Sequence, residues 1–317
     1  ALAPLLRVSY AALAAGGRAT PPPRPWRTRI VASAAEPRTG LGPGEHRVSG
    51  LLCTAVPISI GGGGGMRERI DVTVVEASRA SQDAIVNSAL AIEGDDTPEG
   101  VALTSGDPYG AVLWPAGAAV AEYLFGGAAV SQSGPLQGQT LLELGAGTGL
   151  LSLAAASAGF SRVIATDYER LTLEFLSYAA EHLNEDVPAG VIETAVLDFC
   201  DEDSRLPAAD VVVAADVLYY PASGAMLARR VLEALENGSR VIVGDSPDRP
   251  GRAAFEQQLD ALLPGVGVAD LWVAVEADTC SGHRHELICG KGSKSVPSEA
   301  EGPSQFVTVS ILDLSPR

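Results

Sequence analysis

From residue 140 onward, short and long apolar stretches alternate along the chain. Leu141, Leu142 and Leu144 form a short run that breaks at Gly145; an Ala/Leu-rich stretch follows, Gly159 stops it, and Val163-Ile164-Ala165 starts a second run that finishes at Asp167. Short apolar runs bounded by turn residues read as buried strands and longer ones as helices, so the order is strand, glycine turn, helix, strand. Glu169 to Leu183 is amphipathic, with Leu171, Leu173, Phe175, Leu176, Ala179 and Leu183 on one face and Asn184 to end it. Val191 to Leu197 reads as the third strand, and Ala209 to Ala215 is a continuous apolar run of the kind found in the middle of a parallel sheet. Ala222 to Glu236 is a helix ended by Asn237-Gly238, and Arg240 to Gly244 a strand ended by Asp245. Ser246 to Arg252 reads as a plain Pro/Gly turn, rather than part of a substrate entrance, opening a helix that runs to Leu263. Val266 to Ala277 and Phe306 to Leu314 read as strands of a final antiparallel hairpin, with His285 to Cys289 extending one arm. The predicted fold class is therefore α/β, with a doubly wound, mostly parallel sheet.

Upstream the period changes. Leu51 to Ile60 and Ile70 to Glu76 are β-type runs, the second alternating at Ile70, Val72 and Val74, and the five glycines 61–65 between them read as a loose hairpin loop. The acidic, turn-rich stretch Glu93 to Pro108 reads as a mobile loop. Three parts follow: a leader over residues 1–40, a β-type extension with a hairpin over 41–109, and the α/β domain over 110–317, in which the polar stretch 292–304 is expected to be disordered. The leader holds Arg7, Arg18, Arg24, Arg27 and Arg29, with no acid before Glu36. An Arg-bearing, Ala-rich, acid-free start reads as an organelle transit peptide, and Val31-Ala32-Ser33-Ala34 offers small residues for a processing cut. A chloroplast is the expected destination, with a mitochondrial or cytoplasmic location as the alternative because serines are few. The first residue is Ala1 rather than Met, which leaves room for a missing start.

Composition narrows the function. Hydrophobic residues make up 46% and charged residues 19%, ample for a sizeable core, and no apolar run reaches the roughly 18 residues a membrane span needs. The formal charge of −17 argues against a nucleic-acid partner, whose phosphates need a basic face. It fits a basic protein substrate, although ordinary solubility is the better account of an acidic balance. Cys53, Cys200, Cys280 and Cys289 form no C-x-x-C pair and no cluster with the four histidines, so reduced thiols and no metal are expected.

The chemistry concentrates in residues 140–167. Gly145, Gly147 and Gly149 let the backbone turn tightly and approach a ligand, with Ala146 between them, and the following helix offers unpaired N–H groups. Asp167, at the end of the second strand, can accept both hydroxyls of a ribose. A dinucleotide fingerprint requires G-x-G-x-x-G, whereas here Leu150 stands at the third glycine's place and Glu143 precedes the turn. An acid beside the cradle suits a cationic ligand better than a pyrophosphate. That charge argument favours S-adenosylmethionine, which carries an ammonium and a sulfonium. Further along, Trp114 offers an apolar wall upstream of the cradle, Asp198-Phe199 an acid and a ring after the third strand, and Asp216 a carboxylate after the fourth. Ligands of open α/β sheets sit outside the carboxyl ends of the strands, where these residues fall.

Residues 140–167 resemble motif I of the seven-β-strand methyltransferases, with Asp167 at their ribose position. Val112-Leu113-Trp114-Pro115 ahead of a helix, together with Asp216-Val217-Leu218-Tyr219, is similar to the D-x-x-Y branch called methyltransferase family 16. The resemblance covers about residues 110–275. It implies a seven-stranded sheet and a cofactor-binding set of Trp114, Glu143, Gly145, Ala146, Gly147, Gly149, Asp167, Asp198, Phe199 and Ala215. Trp114 would help enclose the cofactor, and Asp198 and Phe199 would take the adenine, although this branch more often has Trp after that acid. It also implies that Asp216 holds and orients a lysine amine while Tyr219 restricts the pocket, the two making up the catalytic pair. The expected activity is S-adenosylmethionine-dependent N-methylation of a lysine in a protein by a monomer. A small-molecule N-methyltransferase acting on a pyridine amide, and a binding module that keeps the fold, are the other two classes.

Overall fold

Strand and helix positions follow the alternation closely. The computed structural model describes residues 6–7, 29–30, 42, 44–61, 69–92, 109–125, 136–246, 248–265, 271–276 and 306–316. Its strands are β1 (Leu6–Arg7), β2 (Arg29–Ile30), β3 (Glu45–Val48), β4 (Leu51–Ile60), β5 (Ile70–Ala77), β6 (Thr140–Leu144), β7 (Arg162–Asp167), β8 (Ile192–Val196), β9 (Val211–Ala215), β10 (Arg240–Asp245), β11 (Leu271–Glu276) and β12 (Phe306–Pro316). Its helices are α1 (Arg79–Ile92), α2 (Pro115–Phe125), α3 (Leu150–Ser157), α4 (Arg170–His182), α5 (Pro221–Glu236) and α6 (Arg252–Leu262). The expectations placed on most of residues 1–40, on glycines 62–65, on the 93–108 loop, on His285 to Cys289 and on 292–304 lie outside the described residues.

The large sheet runs β8–β7–β6–β9–β10–β12–β11, and β1 adds an eighth, two-residue strand at the end of β12. Strands β6 to β10 pair in parallel, with Leu142 facing Ile164 on one side and Val212 on the other. The chain winds from β6 outward to β8, then crosses back to β9 and winds the other way. The turns after β6 and β9 therefore diverge at the carboxyl end of the sheet, which leaves a crevice there. Strand β12 is antiparallel to β10 and β11, closing the expected hairpin.

Both faces are covered, which is why the central strands read as unbroken apolar runs. One core packs Leu141, Val163 and Val213 with Leu151 of α3 and Leu176 of α4; the other packs Leu142, Ile164 and Val212 with Leu227 of α5 and Leu259 of α6. Among the described residues no helix is long and apolar enough to cross a membrane.

The N-terminal strands form a second sheet, with β4 antiparallel to β3, β2 and β5. The expected hairpin of β4 and β5 is present; β3 and α1 went unanticipated, although Ser78, whose hydroxyl accepts from Ser81 N at 3.3 Å, is a cap signal ahead of α1. Buried residues of this sheet, including Cys53, Ile58, Val72 and Val74, belong to the same core as Leu151 and Leu176. Polar bolts reinforce the join. Asn184 accepts from Thr73 N at 2.7 Å and donates to Thr73 O and Ala179 O, each at 2.8 Å, tying β5 to the end of α4. Glu122 accepts from Gly61 N at 3.0 Å, and the buried Glu76 of β5 accepts from Leu113 N. That last bond fixes the segment carrying Trp114.

Candidate active site

A cavity of about 660 Å³ opens at the crevice, within the range of roughly 300–1,000 Å³ usual for small-molecule sites. Its floor is the glycine turn. Gly147 takes φ +51° and Gly149 φ +78°, left-handed values that cost a side-chain-bearing residue. A Cβ on Gly149 would also stand 2.3 Å from Leu176 Cδ1, so that glycine serves close packing of the turn on α4, behind the cavity wall. Helix α3 starts at Leu150 with no side chain capping it, leaving its first N–H groups to a ligand.

Asp167 is buried at the end of β7 and lines the cavity. Its Oδ2 accepts from Gly147 N at 2.9 Å and its Oδ1 from Glu169 N at 2.9 Å. The carboxylate thus braces the glycine turn and is held in one orientation. Glu143, also on the wall, points from β6 and accepts from Ser152 Oγ. Burial pushes its carboxyl up to about 8, against the Ser152 bonds and with a smaller push from Asp167. A cation placed beside it would favour its ionised form.

Two loops close the sides. Gly110 lies over Gly147, whose Cβ would meet Gly110 O at 3.3 Å, and Trp114 donates from Nε1 to Tyr109 O at 2.7 Å. On the opposite side, Asp198 and Phe199 reach the wall. Asp198 Oδ1 accepts from Cys200 N at 2.8 Å. The buried Arg230 of α5 anchors this loop, donating to Phe199 O at 2.9 Å and Ser204 O at 3.1 Å and pairing with Glu233 at 2.5 Å.

The fourth corner is built on β9. Asp216 follows Ala215 with φ +59°, a strained conformation that turns the chain sharply out of the sheet. Its N–H donates to Gly244 O at 2.9 Å. The Oδ1 atom takes both Nε and Nη2 of Arg249 at 2.6 Å. Asp245, ending β10, accepts from Leu218 N at 3.0 Å and lies 3.7 Å from Arg249 Nε. Burial raises the carboxyls of both Asp216 and Asp245; Arg249 counters it in each, and Asp216 adds to the rise of Asp245. Arg249 Cζ stands 5.0 Å from the Trp114 ring centre and 5.4 Å from that of Tyr219, which stacks on Tyr109.

The fold thus gathers Trp114, Glu143, Gly145, Ala146, Gly147, Asp167, Asp198, Phe199, Ala215 and Tyr219 around one cavity. Asp216 belongs to the same corner but sits behind Arg249, which takes the place on the wall. Ser246 to Arg252 is accordingly more than a plain turn. Its Gly251 N donates to Leu218 O at 2.9 Å, zipping the loop to the D-x-x-Y segment and aiming Arg249 inward. Arg249 and Arg230 both escaped the sequence reading. An arginine in a Pro/Gly loop, or on a helix flank, carries no local mark of what its long side chain will reach.

The residues fit S-adenosylmethionine. A cradle without room for side chains, two acids on the wall and an aromatic neighbour match its ribose, cationic tail and adenine. A family model described as lysine methyltransferase matches residues 101–259, half of the chain. The electron transfer flavoprotein beta subunit lysine methyltransferase of Danio rerio is 32% identical over 152 residues, covering 47% of this chain and 53% of that protein. The protein N-terminal and lysine N-methyltransferase EFM7 of Yarrowia lipolytica is 27% identical over 180 residues, covering 50% of this chain and 64% of that one. The chain spans about half the length of the first of these curated relatives. Among solved structures, a TehB-like SAM-dependent methyltransferase from Corynebacterium glutamicum shares 14% identity at a TM-score of 0.38, covering 74% of this chain and 99% of that one. On the family match over half its length, the chain belongs to the lysine methyltransferase family.

Proposed function

We propose that the chain is an S-adenosylmethionine-dependent N-methyltransferase that modifies a lysine side chain of a protein. The observation that carries this reading is a single cavity bounded by the glycine turn and Asp167 on one side and by the Asp216–Tyr219 corner on the other. Family membership supports it independently. When bound, S-adenosylmethionine supplies a methyl group on a sulfonium, an electrophile that needs little covalent help. The chain's work is to bind and align. Gly147 lets the backbone approach, Asp167 takes the ribose hydroxyls, Glu143 faces the cationic end, and Asp198 with Phe199 takes the adenine. Trp114 encloses the site. Asp216 holds the amine and Tyr219 narrows its approach, so that the nitrogen meets the methyl in line; such alignment supplies much of the acceleration. Release of the amine's proton goes to water, and no general base is assigned.

The names of the relatives make an electron transfer flavoprotein beta subunit the first protein to offer as substrate. We also propose that residues 1–40 direct the chain to an organelle, a chloroplast first and a mitochondrion second, and that it acts as a monomer on protein rather than nucleic acid. The arginine-rich, acid-free start supports the organelle reading, and the formal charge of −17 supports protein rather than nucleic acid as substrate.

Incubation with labelled methyl donor and an organelle extract should put label into a protein band. Label confined to the small-molecule fraction would replace the lysine with a small acceptor. Asp216→Asn keeps size but removes charge, and should lower turnover severely while cofactor affinity stays within a few fold. Near-normal turnover in that variant would remove Asp216 from the acceptor site, since it would show that the carboxylate charge paired with Arg249 is dispensable.

A further inference from the structure

The corner around Arg249 is more elaborate than the holding of one carboxylate requires. Asp216 and Asp245 are each 2% exposed, and the guanidinium stands between them and the cavity. Two of its nitrogens grip the same Asp216 oxygen, rather than pairing with one oxygen each. Asp216 Oδ2 and Asp245 Oδ1 are buried with no hydrogen-bond partner among the described residues. Aromatic faces of Trp114 and Tyr219 lie 5.0 and 5.4 Å from the guanidinium carbon, positions that attract any cation placed there. A carboxylate at the base, aromatic walls at the sides and a cation between them is what a bound alkylammonium would require. The chain supplies that cation itself.

We propose that Arg249 is the resident occupant of the acceptor seat, and that an acceptor amine enters by exchanging with it, cation for cation, on Asp216. The inference rests on the methyltransferase reading, in which Asp216 receives the amine. The physical terms favour exchange by the side chain alone. The backbone at Gly251, two residues beyond Arg249, is held in place, because Gly251 N donates to Leu218 O at 2.9 Å and a Cβ on Gly251 would stand 2.4 Å from Tyr220 O. The Arg249 side chain is 15% exposed, so its head has a short path into the cavity. A guanidinium is weakly hydrated and here forgoes the fork-to-fork grip that makes Arg–carboxylate pairs strong. The two orphaned oxygens give an incoming ammonium, with its three donors, somewhere to land while the guanidinium leaves.

Exchange also sets substrate class. Removing Arg249 without a replacement would strand two buried carboxylates, which is strongly unfavourable. A neutral acceptor such as a pyridine amide cannot make the swap. The seat therefore selects an acceptor that arrives positively charged on a slender alkyl chain.

The test uses the full chain without any methyl donor. In arginine-labelled protein, the Nε–H signal of Arg249, identified by its loss in Arg249→Lys, reports the Asp216 bond. Adding n-butylammonium chloride should move that signal toward its free-solvent position, whereas nicotinamide and sodium chloride at matched concentration should not. In Arg249→Met, n-butylammonium should bind roughly tenfold or more tightly than to the unaltered chain by calorimetry. Adding Asp216→Asn to that variant should abolish the gain. An Arg249 signal unmoved by n-butylammonium, or moved equally by nicotinamide or salt, overturns the exchange. If Arg249→Met does not fold, the titration of the unaltered chain decides alone. A chain that methylates protein while its Arg249 signal stays fixed refutes the exchange and leaves the proposed function standing. Absence of methyl transfer defeats that function without altering what the titration reads.

Discussion

Burial holds the Glu143 carboxyl up to about 8, above the 4.5 of an ordinary glutamate, so across this interval the folded chain keeps a proton that the unfolded chain has released. Stability must then fall as pH rises through it, because the folded state binds the extra proton. Asp216 and Asp245, also raised by burial, push in the same direction. Glu143→Gln keeps an acceptor for Ser152 Oγ and removes the titration. Urea midpoints measured across the interval should decline less steeply in this variant; an unchanged slope would mean Glu143 is already ionised in the folded chain. Asp167 is a second single-residue case. Asp167→Ala should weaken S-adenosylmethionine binding by about 1.5–3 kcal/mol, the scale of hydrogen bonds to a charged group. It also releases Gly147 N and Glu169 N, so melting temperature should drop as well. Calorimetric titration showing unchanged affinity in a folded variant would take Asp167 out of the site.

Between elements, the N-terminal sheet is held to the α/β domain by side chains far apart in sequence. Asn184 makes two bonds across that seam, both to Thr73 of β5, and a third back to Ala179 of α4, the helix it follows. Asn184→Ala leaves part of that backbone buried and unpaired, and should cost about 2–3 kcal/mol in urea unfolding. A loss below about 0.5 kcal/mol, the range of ordinary surface changes, would show that the seam is held by apolar packing alone. The sequence marked Asn184 as a helix stop. Only the packing of β5 against α4 turned it into a tie.

For the molecule as a whole, the same seam decides where the chain can be shortened. Within residues 1–40 the described pairing amounts to β1 against β12 and β2 against β4, two residues each. Removing residues 1–40 should therefore leave melting temperature and cofactor affinity unchanged, and a fluorescent fusion of the leader should enter an organelle. Removing residues through Ala77 should abolish cooperative folding, because Cys53, Ile58, Val72 and Val74 complete the core that Leu151 and Leu176 share. A shorter leader deletion that fails to fold would place part of the leader within the folded unit.

The sequence by itself determined what repeats locally. Alternating apolar runs gave the order of strands and helices, the glycine turn and Asp167 gave the cradle, and strand ends pointed to Asp198 and Asp216, because period, turn chemistry and chain direction are properties of neighbours in sequence. The tertiary structure decided what depends on reach and burial. It made Glu143 a proton holder, because burial disfavours its charged form, and it gave Glu76 the task of fixing the Trp114 segment from another sheet. It also set Arg249 in front of Asp216, a contact spanning 33 residues in sequence that forms because the turns after β9 and β10 emerge side by side from adjacent parallel strands.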